Sequence, residues 1–223
     1  MKYIDIHAHK LKGDGNIQIL NVFAQDLVNV YPEFLFSAGI HPWHIAKVSL
    51  ADCCHSIEQV IQMKNMLAVG ECGLDRSIAI DFALQEKYFR NQIKIADKHS
   101  KPLIIHCVRA QSELIKLKKE SKSTVPWILH GYQGNKQTTK NLIDHGFYFS
   151  VGKPLLNMIS KHDVFKSIPP ERLFLETDNL ETSIEKIYSL AAEILNSDEE
   201  LISEAIYKNF KTIFGADQTK FIV

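Results

Sequence analysis

The sequence predicts an α/β fold, a TIM-type (β/α) barrel distorted near its first two strands, with the first helix missing. Eight short runs of β-branched, aliphatic and aromatic residues alternate with longer amphipathic stretches, the order of a parallel sheet with helical crossovers. Several of these runs are almost continuously apolar, as strands buried on both faces should be. No Gly-x-Gly-x-x-Gly follows the first run, so the dinucleotide-binding alternative lacks its phosphate turn.

In chain order the strands are expected at residues 3–8, 17–23, 34–40, 67–71, 102–107, 126–130, 147–151 and 173–176. Between them, residues 50–63 carry Ile57, Val60, Ile61 and Met63 on one side, and residues 81–99 bring Phe82, Tyr88, Phe89, Ile93 and Ala96 near helical spacing. Further helices fit residues 111–120, 136–145, 155–165, 183–195 and 199–214. The last begins with Asp198, Glu199 and Glu200, acids suited to a positive helix end, and runs out into Gly215, a stop. Only residues 9–16 separate the first two strands, whereas a helical parallel crossover usually needs about a dozen residues or more. The expectation is that no helix forms there and that residues 17–23 run antiparallel to their neighbour or lie outside the barrel.

Composition narrows the class. At 223 residues with 45% hydrophobic and 23% charged, one barrel domain over residues 1–223 is the simplest organisation. Lys+Arg and Asp+Glu both total 26, without the basic excess of a dedicated duplex-DNA binder. The one basic cluster, Lys116, Lys118, Lys119 and Lys122, reads as a solvated helix face. Cys53, Cys54, Cys72 and Cys107 have neither CxxC nor disulfide-framework spacing, as expected of thiols in a reducing compartment. Asp5, His7 and His9 interrupt any signal core, and no run of about 18 apolar residues occurs. A cytoplasmic chain is expected, with no membrane segment and no obligate protein partner.

The chemistry stands where the apolar runs stop. Positions i and i+2 of a strand share a face, so His7 and His9 point the same way, with Asp5 below them as a residue that could orient a ring. The fourth run ends at Glu71, the fifth at His106, the sixth at His130 and the eighth at Glu176-Thr177-Asp178. In a (β/α) barrel these ends meet on one rim, where active sites of this architecture lie. Imidazole pairs with carboxylates suit one or two divalent cations, and the lack of Cys among them argues against a closed structural zinc site. Such donors fit Zn, Mn or Fe, and a carboxylate-rich site with loosely held water could take Mg. Glu71 is central enough to bridge two metals.

His7-Ala8-His9, Gly39-Ile40-His41-Pro42, Gly70-Glu71-Cys72-Gly73-Leu74-Asp75, residues 102–106, His130 and Glu176-Thr177-Asp178 occur in that order. The set resembles the TatD family of metal-dependent hydrolases, a branch of the amidohydrolase-like barrels, over nearly the whole chain. The resemblance implies two adjacent divalent metal ions (Mg, Mn or Zn), one held by His7, His9 and Asp178, the other by His106 and His130, with Glu71 shared. It also implies a deoxyribonuclease or phosphodiesterase that uses a metal-activated water on DNA or other nucleic-acid ends. The alternative is a two-metal hydrolase of a small-molecule ester, amide or aminoacyl bond.

Within that scheme Asp178 and Glu71 are the catalytic residues, Asp178 accepting and later returning the proton. His41 and Arg109 are the substrate-binding candidates, the latter able to fork onto a phosphate. Glu176 could position Asp178 or a histidine. Asp75 reads as a turn or helix-start residue, His44 as a loop residue, Cys72 and Cys107 as packing residues, and His55, His99, His145 and His162 as solvated. The chain is shorter than typical members. It has Gly131-Tyr132-Gln133-Gly134 and Asn179-Leu180-Glu181 where the family more often has an aromatic, Ser and Gly, and an Ala-Pro continuation. These loops should line the pocket mouth and set the substrate.

Overall fold

A computed structural model describes residues 3–13, 15–29 and 34–215. Eight strands lie in sequence order, every neighbouring pair parallel. They are β1 (Ile4–Ala8), β2 (Ile17–Phe23), β3 (Leu35–Gly39), β4 (Met66–Asp75), β5 (Leu103–Val108), β6 (Trp127–Leu129), β7 (Phe147–Val151) and β8 (Leu173–Leu175). The helices are α1 (Leu50–Val60), α2 (Phe82–Lys98), α3 (Gln111–Ser121), α4 (Lys136–Asp144), α5 (Lys153–Asn157), α6 (His162–Phe165), α7 (Ile184–Leu195) and α8 (Glu199–Phe214). The TIM-type barrel is nearly closed. Its seam between β1 and β8 is a single bridge, Ala8 to Asp178, flanked by His9 N–H to the Asp178 carbonyl (3.1 Å) and Asp178 N–H to the His7 carbonyl (2.8 Å). The closing bonds therefore run through the residues that matter chemically.

The first helix is absent from the described residues, as expected, but β2 is neither antiparallel nor outside: it pairs in parallel with both β1 and β3. The geometry explains the correction. Returning past a five-residue strand requires about 15 Å, and eight extended residues reach roughly 26 Å, so a helix is unnecessary. A 3-10 helix, Ala24–Asn29, follows β2. The helix expected at 155–165 is broken into α5, a 3-10 turn Ile159–Lys161 and α6. No Gly or Pro stands in that stretch, and nothing in the local sequence explains the break.

β4 runs to Asp75, four residues beyond the expected end at Glu71. Gly73 makes this possible, since a Cβ there would collide with the His106 carbonyl oxygen of β5. Its φ of +137° is open to glycine and strained for other residues. Two strands are locally bulged. Two residues of β1 between Asp5 and Ala8 face one of β2, and two of β4 between Val69 and Cys72 face one of β5. Bulges re-aim side chains, and His7 and Glu71 lie on these stretches.

The core is continuous, with Phe36, Phe89, Trp127, Phe147, Phe149 and Phe174 all buried, each contributing about 1.5–3 kcal/mol relative to exposure. The basic cluster on α3 is not wholly solvated. Lys116, Lys119 and Lys122 are exposed, but Lys118 Nζ lies 4.9 Å from the ring centre of Trp127 and 5.3 Å from that of Phe147. Of the four helical histidines only His55 is exposed. His99 bridges Glu58 (2.7 Å) and Gln62 (2.9 Å) of α1, while His145 and His162 reach backbone carbonyls. Among the described residues no helix is long and apolar enough to cross a membrane.

Candidate functional site

The strand ends do converge, and Glu71 is the hub. Its Oε1 lies 2.7 Å from His130 Nε2, 3.0 Å from His41 Nε2 and 3.1 Å from His106 Nδ1. Its Oε2 lies 3.5 Å from His7 Nε2 and 3.7 Å from His9 Nε2. Asp178 Oδ1 stands 3.3 Å from His9 Nε2 and 3.9 Å from His7 Nε2. Asp178 adopts φ +53°, a left-handed conformation that Asp tolerates better than most residues. Asn21 of β2 accepts the Glu71 backbone N–H at 2.8 Å and fixes the hub from below.

Three groups present ligand-capable atoms within 4.8 Å of one another: His7, His9 and Asp178; His7, Glu71 and His130; His41, Glu71 and His106. The first is the trio expected from sequence. The second and third share Glu71, but they divide the expected His106 and His130 pair, and His41 joins it.

Ring tautomers follow from the partners. The Trp43 backbone N–H donates to His41 Nδ1 (3.1 Å), so a neutral His41 carries its proton on Nε2 and donates it to Glu71. His106 Nε2 lies 3.0 Å from Asp75 Oδ2, which can only accept, so its Nδ1 lone pair faces Glu71 Oε1. Two acceptors at that separation require a proton or a cation between them. His7 is fully buried, and both of its ring nitrogens lack a hydrogen-bond partner. This donor set fits a divalent cation.

Electrostatics centre on the same residues. Burial alone would raise Glu71, but the His130 charge and the facing imidazoles of His106, His130 and His41 outweigh it and hold the carboxyl well below the usual range. Burial likewise opposes the charge on His130, yet Glu71 and Glu176 together drive its pKa well above the ordinary value. Glu71 and His130 form one buried ionic unit. Burial would also raise Asp178, but the hydrogen bond from His9 leaves it lowered. The same bond raises His9. Burial lowers His41, which favours the neutral donor form.

Several expectations change. Asp5 orients no imidazole: Thr177 N–H (3.0 Å), Thr177 Oγ1 (2.6 Å) and Gln18 Nε2 (3.3 Å) occupy its oxygens, and burial raises its pKa to about 6. Glu176 accepts the Gly131 N–H at 2.6 Å and lies 3.6 Å from His130 Nδ1, so it steadies His130 and not Asp178. Asp75 is no turn residue but the last residue of β4. It takes bonds from His106, from Trp43 Nε1 (2.7 Å) and from Ser77 (2.8 Å), and although burial opposes its charge, these bonds bring its pKa to about 2. Cys72 is buried, and Cys107, half-buried beside the cleft, has its thiol pushed up to about 12 by burial.

Two glutamines escaped sequence reading altogether. Gln85 and Gln92 sit two turns apart on one face of α2. Gln85 clamps the Asp75 backbone (2.8 and 3.0 Å), and Gln92 clamps that of Ile40 (2.7 and 3.1 Å). Their signal was present as polar residues on an otherwise apolar helical face.

A cleft opens over the hub in two adjoining lobes of about 370 and 220 Å³. Trp43, His106, His130, Asp178 and Asn179 line both; His41 and His44 line the smaller, and Gln133 and Lys153 the larger. Arg109 is exposed, with φ +52°, and is not among the lining residues. Of the divergent loops, Gly131, Gln133 and Asn179 face the larger lobe, whereas Tyr132 turns into the core to bond Thr139 (2.9 Å), and Glu181 pairs with Lys10 (2.8 Å).

The family model described as TatD related DNase matches residues 18–215. An uncharacterized metal-dependent hydrolase of Buchnera aphidicola is 30% identical over 162 residues, covering 69% of this chain and 61% of that protein. A 3'-5' ssDNA/RNA exonuclease TatD of Edwardsiella piscicida is 32% identical over 169 residues, covering 70% and 62%. The match thus spans just over three-fifths of these relatives' lengths. In fold, the chain superimposes on a TatD homologue from Escherichia coli with a TM-score of 0.82 at 21% identity, covering 96% of this chain and 98% of the other. It also superimposes on a TatD family hydrolase of Entamoeba histolytica, with a TM-score of 0.82 at 17% identity, covering 97% and 99%.

Proposed function

Because this chain belongs to the TatD related DNase family, we propose that it is a divalent-metal-dependent phosphodiesterase acting on the ends of single-stranded nucleic acid, through one barrel domain spanning residues 1–223. The observation that carries this reading is the convergence of His7, His9, His106, His130 and Asp178 around Glu71, with the buried nitrogens of His7 lacking any partner. His7, His9 and Asp178 would hold one cation, His106 and His130 a second, with Glu71 common to both. Divalent cations in such a setting supply Lewis acidity and make a water nucleophilic at neutral pH.

The chain's own groups do the rest. The half-buried Asp178 carboxylate, held ionised by His9, takes the proton of the attacking water and returns it to the departing sugar oxygen. Asp75 fixes the His106 ring through Nε2, and Glu176 braces His130. The neutral His41 offers its Nε2–H to a phosphoryl oxygen when Glu71 is engaged elsewhere. Lys153, an exposed cation in the larger lobe, is the nearer phosphate partner, with Arg109 serving the strand farther out. The four free thiols suit a cytoplasmic setting.

The test uses protein stripped of metal and reloaded with Mg, Mn or Zn, assayed on labelled single-stranded DNA and on a panel of carboxylic esters and amides. Metal-dependent DNA cleavage that vanishes in Asp178→Asn is expected. Hydrolysis confined to the carbonyl substrates would overturn the reading.

A further inference from the structure

We propose that Trp43 is a stacking platform for a nucleobase of the single-stranded substrate, and that this contact gives the site its preference for nucleic acid over base-free phosphodiesters. The inference rests on the nucleic-acid reading above and adds the residue that would recognise the base.

Trp43 is 55% exposed, unusual for the largest amphipathic side chain unless its face serves a partner. It lines both lobes of the cleft, on the same rim as His106 and Asp178. Its polar edge is tied down: Nε1 donates to Asp75 Oδ2 at 2.7 Å, and the backbone N–H donates to His41 Nδ1 at 3.1 Å. The indole stands edge-on to His41 (centroids 5.0 Å apart, 85°) and to His106 (5.8 Å, 77°). One edge is thus anchored to residues that touch the hub, while much of the ring remains open to the cleft. A ring already immobilised loses little entropy when a planar partner arrives.

Stacking is the interaction such a surface makes with single strands, and every base offers a π-face, so it carries no strong sequence preference. Lys153 in the same larger lobe offers a charge for the adjoining phosphate. A base on Trp43 would therefore leave its sugar-phosphate linkage over Glu71 and Asp178. A purely structural Trp43, present only to hold Asp75 and His106, makes a different prediction: its loss would harm every phosphodiester equally.

Fluorescence separates the two. The chain has two tryptophans, and the other, Trp127, is fully buried, so quenching by a base reports Trp43. Wild-type, Trp43→Phe and Trp43→Ala proteins, loaded with metal, are titrated with a phosphorothioate hexathymidylate and with an abasic chain of the same length. Cleavage of the phosphodiester versions is followed in parallel. The thymidylate should quench wild-type emission and the abasic chain should not. Trp43→Ala should weaken thymidylate binding roughly 5- to 100-fold and abasic binding and cleavage by much less, so that the thymidylate-to-abasic affinity ratio collapses. Trp43→Phe, which also loses the Asp75 bond but keeps a stacking face, should retain most of that ratio. Equal affinity of wild type for both chains without quenching, or equal loss on both in Trp43→Ala, would overturn the stacking role while leaving the nuclease reading intact. A wild-type protein that neither binds nor cuts either chain would overturn both.

Discussion

The two ends of the barrel bury polar atoms on opposite terms. At the end where strands begin, buried side-chain donors among the described residues find protein acceptors, as three cases show. Asn209 of α8 donates to the carbonyls of Pro170 (2.7 Å) and Leu173 (2.9 Å), and Asn65 to that of Phe34 (2.9 Å). Trp127 donates through Ser123 (3.0 Å) to Asp97 (2.8 Å). Toward the end where strands finish, both nitrogens of His7, Nδ1 of His130, Oε2 of Glu176 and Nδ2 of Asn21 are buried without a hydrogen-bond partner. Each such orphan costs about 1–3 kcal/mol. The first end is finished by the chain itself. The second presents polar atoms, lone-pair-bearing ones among them, that the chain itself does not satisfy, the usual sign that stability has been traded for function.

The largest test of that contrast is Glu71→Gln. The hub would keep its shape but lose the charge that faces all five site histidines. kcat/KM on single-stranded DNA should fall roughly 10³-fold or more, equivalent to about 4 kcal/mol of transition-state stabilisation. A thermal melt offers a second reading of the same variant. Added Mn at 100 times its Kd should stabilise the wild type by about 2.7 kcal/mol, raising Tm about 5–10 °C at this chain length, and should leave the variant unmoved. Retention of full rate and metal-dependent Tm by Glu71→Gln would show that the incomplete end is not completed by metal.

Asp75→Asn probes a part of that end which the chain does finish. The amide cannot fix the Nε2–H tautomer of His106 as a carboxylate does, so metal affinity measured by calorimetry should drop about 10- to 100-fold. An unchanged affinity would mean that His106 needs no bracing from Asp75.

The difference between the two ends also explains what was legible in the sequence. His7, His9, His106, His130 and Asp178 were readable because each interrupts an apolar run at a strand end, and strand ends in this architecture share a rim. Glu71 was readable for the same reason, although β4 continues past it to Asp75. Asp75, Gln85 and Gln92 were not, because their role depends on which element packs beside them. α2 places Gln85 on Asp75 and Gln92 on Ile40, and sequence spacing carries no information about that contact. The direction of β2 was misread because helix length was taken as the minimum for a crossover, whereas an extended segment covers the same distance in fewer residues. Lys118 was misread because the aromatic rings beneath it, Trp127 and Phe147, come from later in the chain.

At the finished end the expected effects fall on stability and not on turnover. Asn209→Ala removes both donors from the Pro170 and Leu173 carbonyls and should lower unfolding free energy by about 1–3 kcal/mol, measured by urea titration, with kcat per folded molecule unchanged. A loss of turnover without loss of stability would erase the distinction between the ends.

The smallest effect is the sharpest in sign. Burial lowers the Lys118 pKa from 10.5 to about 8, with Asp97 partly opposing the shift. Below about pH 8 the lysine is protonated in both the folded and unfolded chain, and the cost of burying its charge is present in full. Between about pH 8 and 10.5 the unfolded lysine keeps a proton that the folded one has released, so its contribution to stability rises with pH. Its amine is partly solvated and lies over the Trp127 ring, which offsets some of that cost, leaving a gain of about 1 kcal/mol across the window. Replacing the charge by an isosteric apolar chain, Lys118→Met, should remove this rise. The difference in unfolding free energy, wild type minus variant, should therefore become more positive between pH 7.5 and pH 9.5. A difference that stays flat or falls would mean that Lys118 is solvated after all, and that this end of the barrel too has a charge it does not bury.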